Sequence, residues 1–206
     1  MQTVYNRNNR KGREIVQSER EIEFKNLLTQ EEFDTLVTVF RLTSADFQTQ
    51  TNYYFDTPDN YFKEKKMGFR LRVLPNRNEL TLKTPVQQHV MEEKTVILSN
   101  DERDAIIHEN RFPTVSFLEQ IKDKDPLICI GSMQTNRAQI AYNKGVLFFD
   151  HSLYSRKEDF EVEYECGDVE NGQKVFLQLL QEHHIPIRPT DKKIARLLKY
   201  NNSLEG

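Results

Sequence analysis

Four segments of the sequence alternate charged residues with bulky apolar ones. They are residues 21–25 (Glu-Ile-Glu-Phe-Lys), 68–73 (Gly-Phe-Arg-Leu-Arg-Val), 79–83 (Glu-Leu-Thr-Leu-Lys) and 160–165 (Phe-Glu-Val-Glu-Tyr-Glu). As β-strands, each would place its charges on one face, because strand side chains alternate with period two. Carboxylate oxygens are ligands for hard divalent ions, and Arg and Lys pair with phosphate oxygens. The chemistry open to such a face is the binding of a metal ion and of a phosphorylated anion.

The recurrence of this pattern matters more than any single segment. One such strand is the ordinary sign of an antiparallel sheet with one wet face and one dry face. If the four strands are neighbours in one sheet, columns of Glu lie beside columns of Arg and Lys, and the opposite face is apolar. Like charges packed together are costly unless opposite charges or a metal compensate them. We therefore expect both signs of charge to share one face.

Helices are predicted to cover the apolar face of this sheet. Thr29 with Glu32, and Ser99 with Glu102, form capping boxes that open two helices. Apolar stripes at helical spacing follow the first box, occupy residues 171–184 and occur again near the C-terminus. Helices with one apolar stripe pack on the apolar face of a sheet, so the charged face looks to solvent or into the lumen of a closed barrel. In a closed barrel, the charged side chains would line the lumen and form a binding site there.

Composition limits the classes of protein to consider. The chain has 206 residues, of which 37% are hydrophobic and 30% charged, enough for one sizeable and rather polar domain. A net charge of -3 argues against a nucleic-acid protein that works by overall basicity. No apolar run approaches the roughly 18 to 20 residues of a membrane span, and no signal peptide is visible. We expect a soluble, cytoplasmic protein with no membrane partner.

The chain organisation predicted from the sequence is simple. Residues 1–18 are polar, basic and aperiodic, so we expect a disordered lead, and residues 19–202 form a single domain. The basic run in the lead could touch nucleic acid, but a solvated tail is preferred. Cys129 and Cys166 are interpreted as reduced packing residues. With only 7 glycines and no Gly-rich phosphate loop, the sequence argues against a Rossmann or P-loop fold.

The charged motifs also occur in a characteristic order. In chain order they are Glu21-x-Glu23-x-Lys25, Phe69-Arg70-Leu71-Arg72, Leu80-Thr81-Leu82-Lys83, Arg137, Asp150, Glu161-x-Glu163-x-Glu165 and Lys193-Ile194-x-Arg196. In this order they resemble the CYTH family of triphosphate tunnel metalloenzymes. The resemblance runs from about Glu19 to Tyr200 and is greatest for the small stand-alone CYTH proteins of Firmicutes.

The resemblance implies an α+β fold, in which a closed, eight-stranded antiparallel β tunnel with a charged lumen is flanked by helices. The lumen would bind a triphosphate and a divalent metal ion, Mg²⁺ or Mn²⁺. The implied substrate ligands are Lys25, Arg70, Arg72, Lys83, Glu92, Arg137, Asp150, Lys193 and Arg196. The implied metal ligands are Glu21, Glu23, Glu161, Glu163 and Glu165. The implied catalytic residues are Glu161, Glu163, Glu165 and Lys193.

Three positions leave alternatives open. Glu92 lines the lumen only if the adjacent Glu93 does not, and the two consecutive glutamates make the face of this strand ambiguous. Asp150 is either a wall residue or a turn aspartate, and we expect the first. Gln139 lies two residues after Arg137 on the same predicted face, where we would expect an acidic residue in near relatives. A glutamine there could lower turnover or change the metal preference.

A tunnel that binds a triphosphate is compatible with several functions. We favour a metal-dependent triphosphatase that hydrolyses inorganic triphosphate or a small organic triphosphate by in-line attack of water on the terminal phosphorus. The alternatives are a class IV-type adenylyl cyclase and a non-catalytic protein that binds polyphosphate or a nucleotide. The expected partner is a triphosphate-bearing small molecule rather than a nucleic acid. The protein is expected to be a monomer or a homodimer.

Overall fold

The computed structural model describes residues 16–121, 126–154, 156–188 and 190–204. Its strands are β1 Gln17–Leu28, β2 Gln48–Asp56, β3 Gly68–Leu74, β4 Arg77–Gln87, β5 Val90–Leu98, β6 Ile128–Tyr142, β7 Gly145–Tyr154 and β8 Lys157–Cys166. Its helices are α1 Gln30–Val39, α2 Tyr61–Glu64, α3 Asn100–Glu109, α4 Val169–Glu182 and α5 Lys193–Leu204. The predicted disordered lead lies almost wholly outside the described residues.

The eight strands form a closed antiparallel barrel. Their order around it is β1-β5-β4-β3-β2-β6-β7-β8. Neighbours in sequence pair in β2-β3-β4-β5 and again in β6-β7-β8, whereas β1 pairs with the last strand, β8. The predicted fold, an α+β protein built on a closed barrel of eight strands, is confirmed.

The chain divides into two compact units. The first consists of Glu21–Gln50 and Met133–Gly206, and the second of Thr51–Ser132 with the described residues before Glu21. The single domain over residues 19–202 stays a prediction. Among the described residues, no helix has the length and apolar character needed to cross a membrane.

The core of the first unit lies between its helices and one face of its strands. Leu36 of α1, Leu179 of α4, Phe149 of β7 and Tyr164 of β8 are fully buried. The ring of Phe33 in α1 lies 5.1 Å from that of Phe160 in β8. The helices therefore cover the apolar face of β7 and β8, and the charged residues that alternate with this face point the other way.

The core of the second unit follows the same rule. Phe69 and Leu71 of β3, Leu80 of β4 and Ile106 of α3 belong to one buried apolar cluster. Phe69, Leu71 and Leu80 alternate with the charged residues of their strands, so the period-two pattern assigns the face of each of these side chains. Burial of the apolar face thus determines on which face of each strand the charged side chains lie.

The predicted capping boxes are both present. At the start of α3, the backbone N–H of Ser99 donates to the Glu102 carboxylate at 2.8 Å, and the backbone N–H of Glu102 donates to the Ser99 hydroxyl at 3.2 Å. Ser99→Ala removes one acceptor, and we expect the free energy of unfolding to fall by about 1 kcal/mol. Denaturant unfolding followed by circular dichroism measures this change. An unaltered midpoint would mean that the cap does not stabilise the helix.

The cysteine interpretation needs a correction. Both cysteines are free thiols, as expected, but Cys129 is exposed and Cys166 is half-buried. Cys129 is therefore not a packing residue. It lies near the start of β6, where 42% of the neighbouring Ile128 is also exposed, so an apolar sequence context did not indicate burial here.

Candidate functional site

Strand register assembles the charged face of the first unit. Lys25 of β1 lies opposite Glu163 of β8, and Asp150 of β7 lies opposite both Glu161 of β8 and Arg137 of β6. Directly opposed residues of an antiparallel pair share a face. Charges from four strands therefore meet on the face opposite the helices.

Arg137 is held by two carboxylates and an aromatic ring. Its Nε and Nη2 atoms donate to the two oxygens of Asp150, each at 2.6 Å, and Nη2 also donates to Glu163. The guanidinium carbon lies 4.5 Å from the ring centre of Phe148, a cation–π distance. Burial alone would raise the pKa of Asp150, but the charges of Arg137 and Lys193 outweigh it and hold this pKa below its usual range. Asp150 is thus an ionised wall residue of the barrel and not a turn residue.

Lys193 begins α5 and contacts three carboxylates. Its Nζ atom lies 2.8 Å from Asp150, 2.7 Å from Glu161 and 2.5 Å from Glu163. Burial would lower the pKa of Lys193, but these carboxylates raise it well above its ordinary value, so the amine is charged. Glu163 accepts hydrogen bonds from both Lys193 and Arg137, and each of its two oxygens is engaged. The structure therefore brings the predicted catalytic lysine against two of the predicted catalytic glutamates.

Arg196 uses all five of its N–H groups within the protein. Nε and Nη2 donate to Asp159 at 2.9 and 3.2 Å, and Nη2 also donates to Glu161 at 2.8 Å. Nη1 donates to the Thr190 hydroxyl at 3.0 Å and to the Asp191 carbonyl at 2.7 Å. In this arrangement Arg196 ties Glu161 to the start of α5. Its predicted contact with substrate would require these hydrogen bonds to open.

Three carboxylates at the other end of β8 converge on a possible metal position. Glu21, Glu23 and Glu165 each offer an oxygen, and these oxygens all lie within 4.8 Å of one another. In addition, the buried Oε1 atom of Glu161 accepts no hydrogen bond from any described residue. A buried carboxylate oxygen without a donor is costly unless a ligand supplies one. All-oxygen donors suit a hard divalent ion, so Glu21, Glu23 and Glu165 fit the metal that the family resemblance implies.

The five predicted metal ligands thus fall into two groups. Glu21, Glu23 and Glu165 approach one another, and Glu23 lies opposite Glu165 in the β1–β8 register. Glu161 and Glu163 are buried and bound to basic side chains. The metal assignment is better supported by geometry for the first group than for the second.

The charged face of the second unit is built by β2 to β5. Opposite pairs along it are Asn52 with Arg72, Arg72 with Glu79, and Arg70 with Thr81. The Nε atom of Arg72 donates to the Asn52 side-chain oxygen at 2.9 Å. The predicted ligands Arg70 and Arg72 therefore share a polar face, opposite the apolar cluster of this unit. Asn52 is a polar residue of this face that the sequence did not indicate.

The placement of Glu92 corrects the predicted face of β5. Lys83 of β4 lies opposite Glu93 and forms an ion pair with it, whereas Glu92 lies opposite Thr84. Glu92 points away from Lys83 and pairs with Lys94 at 3.4 Å on an exposed surface. Glu93 is therefore the acidic residue beside Lys83. In the structure the buried Val96 lies on the same strand face as Glu92, so that face is the apolar one. The sequence alone did not show this, because Val96 and Ile97 are also consecutive and both apolar.

Asp159 is a second residue that sequence reasoning missed. It lies two positions before Glu161 and so continues the alternating acidic face of β8. It accepts hydrogen bonds from Arg196 and, at 2.8 Å, from the hydroxyl of Tyr154.

Gln139, two residues after Arg137, lies opposite Phe148 in the register, on the predicted face.

Comparison with known sequences gives one family and one curated relative. The family model of the CYTH domain matches residues 19–198. The chain is 38% identical over 180 residues to "Putative triphosphatase YjbK" of Bacillus subtilis (strain 168), and the match covers 86% of this chain and 94% of that protein.

Comparison with solved structures gives the same fold. A Bacillus halodurans protein whose crystal structure is named as that of a "putative adenylate cyclase" is 32% identical, with a TM-score of 0.82 over 87% of this chain and 97% of its own. HpAC1 from Hippeastrum, described as a "putative adenylyl cyclase" that reveals a dominant triphosphatase activity, superposes with a TM-score of 0.72 over 88% of this chain and 95% of its own. At 18% identity, the second likeness concerns the fold alone.

Proposed function

This chain belongs to the CYTH domain family, and from that membership we propose that it is a metal-dependent triphosphatase acting on inorganic triphosphate or a small organic triphosphate. The observation that carries the proposal is the buried network in which Arg137 and Lys193 are held by Asp150, Glu161 and Glu163. Fixed cations beside fixed carboxylates are what hydrolysis of a polyanion requires. The name of the Bacillus subtilis relative supports the same activity.

Positive charge is the first requirement of this function. A triphosphate carries about four negative charges, so several cations must bind it, and Arg suits this role because its planar fork pairs with two phosphate oxygens. Carboxylates hold Arg137 and Lys193 in place, so these charges need little reorganisation when the transition state forms. In the first unit, the cations assigned to substrate binding are Lys25, Arg137 and Lys193. Arg70, Arg72 and Lys83 keep the substrate-binding role that the family resemblance implies for them.

A water molecule must also be oriented for in-line attack on the terminal phosphorus. We assign this role to Glu161, because its Oε2 atom is fixed by Lys193 and Arg196 while its buried Oε1 atom accepts no hydrogen bond from any described residue. Oε1 would accept a hydrogen bond from the water, so that a lone pair of the water oxygen points toward the phosphorus. Glu163, with both oxygens bound to cations, acts instead by holding those cations.

A divalent ion completes the proposed site. Glu21, Glu23 and Glu165 would hold it, and Mg²⁺ or Mn²⁺ suits this all-carboxylate set. When bound, such an ion polarises phosphate oxygens and lowers the pKa of coordinated water.

Phosphate release from the purified protein tests the proposal. We expect release from inorganic triphosphate that needs Mg²⁺ or Mn²⁺, stops with chelator and exceeds release from ATP by at least about tenfold. Thiamine triphosphate represents the small organic triphosphates. Tight triphosphate binding without phosphate release would instead make the protein a binding module.

An adenylyl cyclase is the second candidate, because the Bacillus halodurans relative carries that name at 32% identity. In that reaction the ribose 3′ oxygen attacks the α phosphorus of ATP, and pyrophosphate leaves. Cyclic AMP measured in the same ATP reactions distinguishes the two activities. Cyclic AMP formed in proportion to ATP consumed would replace the hydrolase proposal.

A further inference from the structure

Arg188 and Glu32 form a two-point ion pair between the chain preceding α5 and the start of α1. The Nη1 and Nη2 atoms of Arg188 donate to the two carboxylate oxygens of Glu32 at 2.7 and 2.8 Å. Nη1 also donates to the carbonyl of Leu27 at 3.1 Å. Glu32 is itself fixed, because it accepts the backbone N–H of Thr29 in the capping box of α1. The guanidinium is thus bound to a rigid corner between β1 and α1.

The side chain of Asn26 binds the backbone of the same stretch of chain. Its side-chain Nδ2 donates to the carbonyl of Pro186 at 3.1 Å, and its Oδ1 accepts the backbone N–H of Arg188 at 2.6 Å. Only 1% of Asn26 is exposed, so these are buried and well-defined hydrogen bonds. Asn26 follows Lys25 in β1 and therefore points to the opposite face of the strand. One strand thus presents Lys25 to the acidic face and Asn26 to the chain that leads to α5.

This attachment lies just upstream of a functional lysine. Lys193, the first residue of α5, comes five positions after Arg188, and Arg196 fixes the helix one turn further on by its bonds to Asp159 and Glu161. Lys193 therefore lies between Arg188 and Arg196, and both arginines fix the chain by hydrogen bonds. Its amine contacts three carboxylates at 2.5 to 2.8 Å, a geometry that a shift of about 1 Å would break.

We propose that Asn26, Glu32 and Arg188 form a clasp that positions Lys193 against the carboxylates of β7 and β8. The inference rests on the proposed function, in which Lys193 is catalytic. The clasp residues touch none of the carboxylates that Lys193 contacts and act only by fixing the chain that carries this lysine. The side chains of Arg188 and Glu32 are 32% and 19% exposed, and ion pairs near the surface contribute little to global stability. Removal of the pair is therefore expected to affect activity far more than folding.

A double-mutant cycle tests the clasp. The variants are Arg188→Met, Glu32→Gln and their combination, compared by kcat/KM for triphosphate hydrolysis and by hydrogen exchange of residues 193–200. We expect each single change to lower kcat/KM by about tenfold and to accelerate exchange in α5, because Lys193 loses its fixed position. The double variant should lose about as much as the more severe single variant and clearly less than the two losses combined, since both side chains act as one unit. Arg188→Lys keeps the charge and should recover part of the loss.

The control is Arg111→Met, which removes an exposed ion pair with Glu109 in the second unit and should change neither measurement. Unaltered exchange of residues 193–200 in Arg188→Met overturns the proposal. So does faster exchange with kcat/KM within about twofold of the wild type. If the wild type itself releases no phosphate, the proposed function fails, and hydrogen exchange alone then decides whether the clasp holds α5.

Discussion

Glu163→Gln is expected to lower kcat/KM for triphosphate hydrolysis by about a hundredfold or more while the barrel still forms. Glu163 accepts hydrogen bonds from Arg137 and Lys193, one on each oxygen. An amide of the same shape can accept only one of them and carries no charge, so Arg137 and Lys193 lose one carboxylate that bridges them, although Asp150 still contacts both. Steady-state phosphate release measures the loss, and circular dichroism checks the fold.

Glu158→Gln is the matched control for this experiment. It makes the same exchange on the same strand, but Glu158 lies one position before Asp159 and so on the opposite face, where its partner is His151 at 2.7 Å. We expect full activity from it. Full activity from Glu163→Gln as well would remove Glu163 from the mechanism and leave the charged network of the first unit without a catalytic role.

Of the substitutions considered, Arg137→Met should lower the free energy of unfolding most, by about 3 to 5 kcal/mol, and should also abolish activity. The reason is that Asp150 is fully buried and Glu163 nearly so, and removal of Arg137 leaves two buried carboxylates with one shared cation fewer. Lys193 remains beside both, but one amine replaces the two-point contact that Arg137 makes with Asp150. Denaturant unfolding measures the free energy.

A second substitution separates the charge effect from a packing effect. In Arg137→Met with Asp150→Asn, the buried negative charge is also removed, so about half of the lost stability should return while activity stays absent. If Arg137→Met were as stable as the wild type, or if the second change brought no recovery, the ion pair would not be what stabilises this face.

The sequence predicted the faces of the strands better than the partners of the side chains. Period-two alternation was sufficient to place Arg70, Arg72 and Glu163 on charged faces, because burial of the alternate residues leaves no other register. The same rule gave no answer for β5 from Glu92 and Glu93 alone, since two consecutive glutamates fit either face. The buried Val96 on the face of Glu92 resolves the choice.

The contacts of α5 could not be predicted from local patterns. Arg188 meets Asn26 and Glu32 across most of the length of the chain, and no periodicity specifies which strand a connecting segment will cross. Arg196 was expected to bind substrate because its type and position match the family motif. Its five internal hydrogen bonds go to Asp159, Glu161, the Thr190 hydroxyl and the Asp191 carbonyl. The alternating acidic pattern places Asp159 and Glu161 on one face, but nothing in the sequence indicates that Arg196 meets them.

The pairing of the first strand with the last has a consequence for biosynthesis. Glu21 and Glu23 leave the ribosome early, but Glu165 of β8 is their partner in the acidic cluster, so this cluster cannot exist until nearly the whole chain has been translated. Contacts so distant in sequence form slowly, since the loop between them must close first. A nascent chain halted before β8 would therefore carry the early carboxylates without the third member of the proposed metal site, and, if the proposal holds, acquisition of metal affinity would report the pairing of β1 with β8.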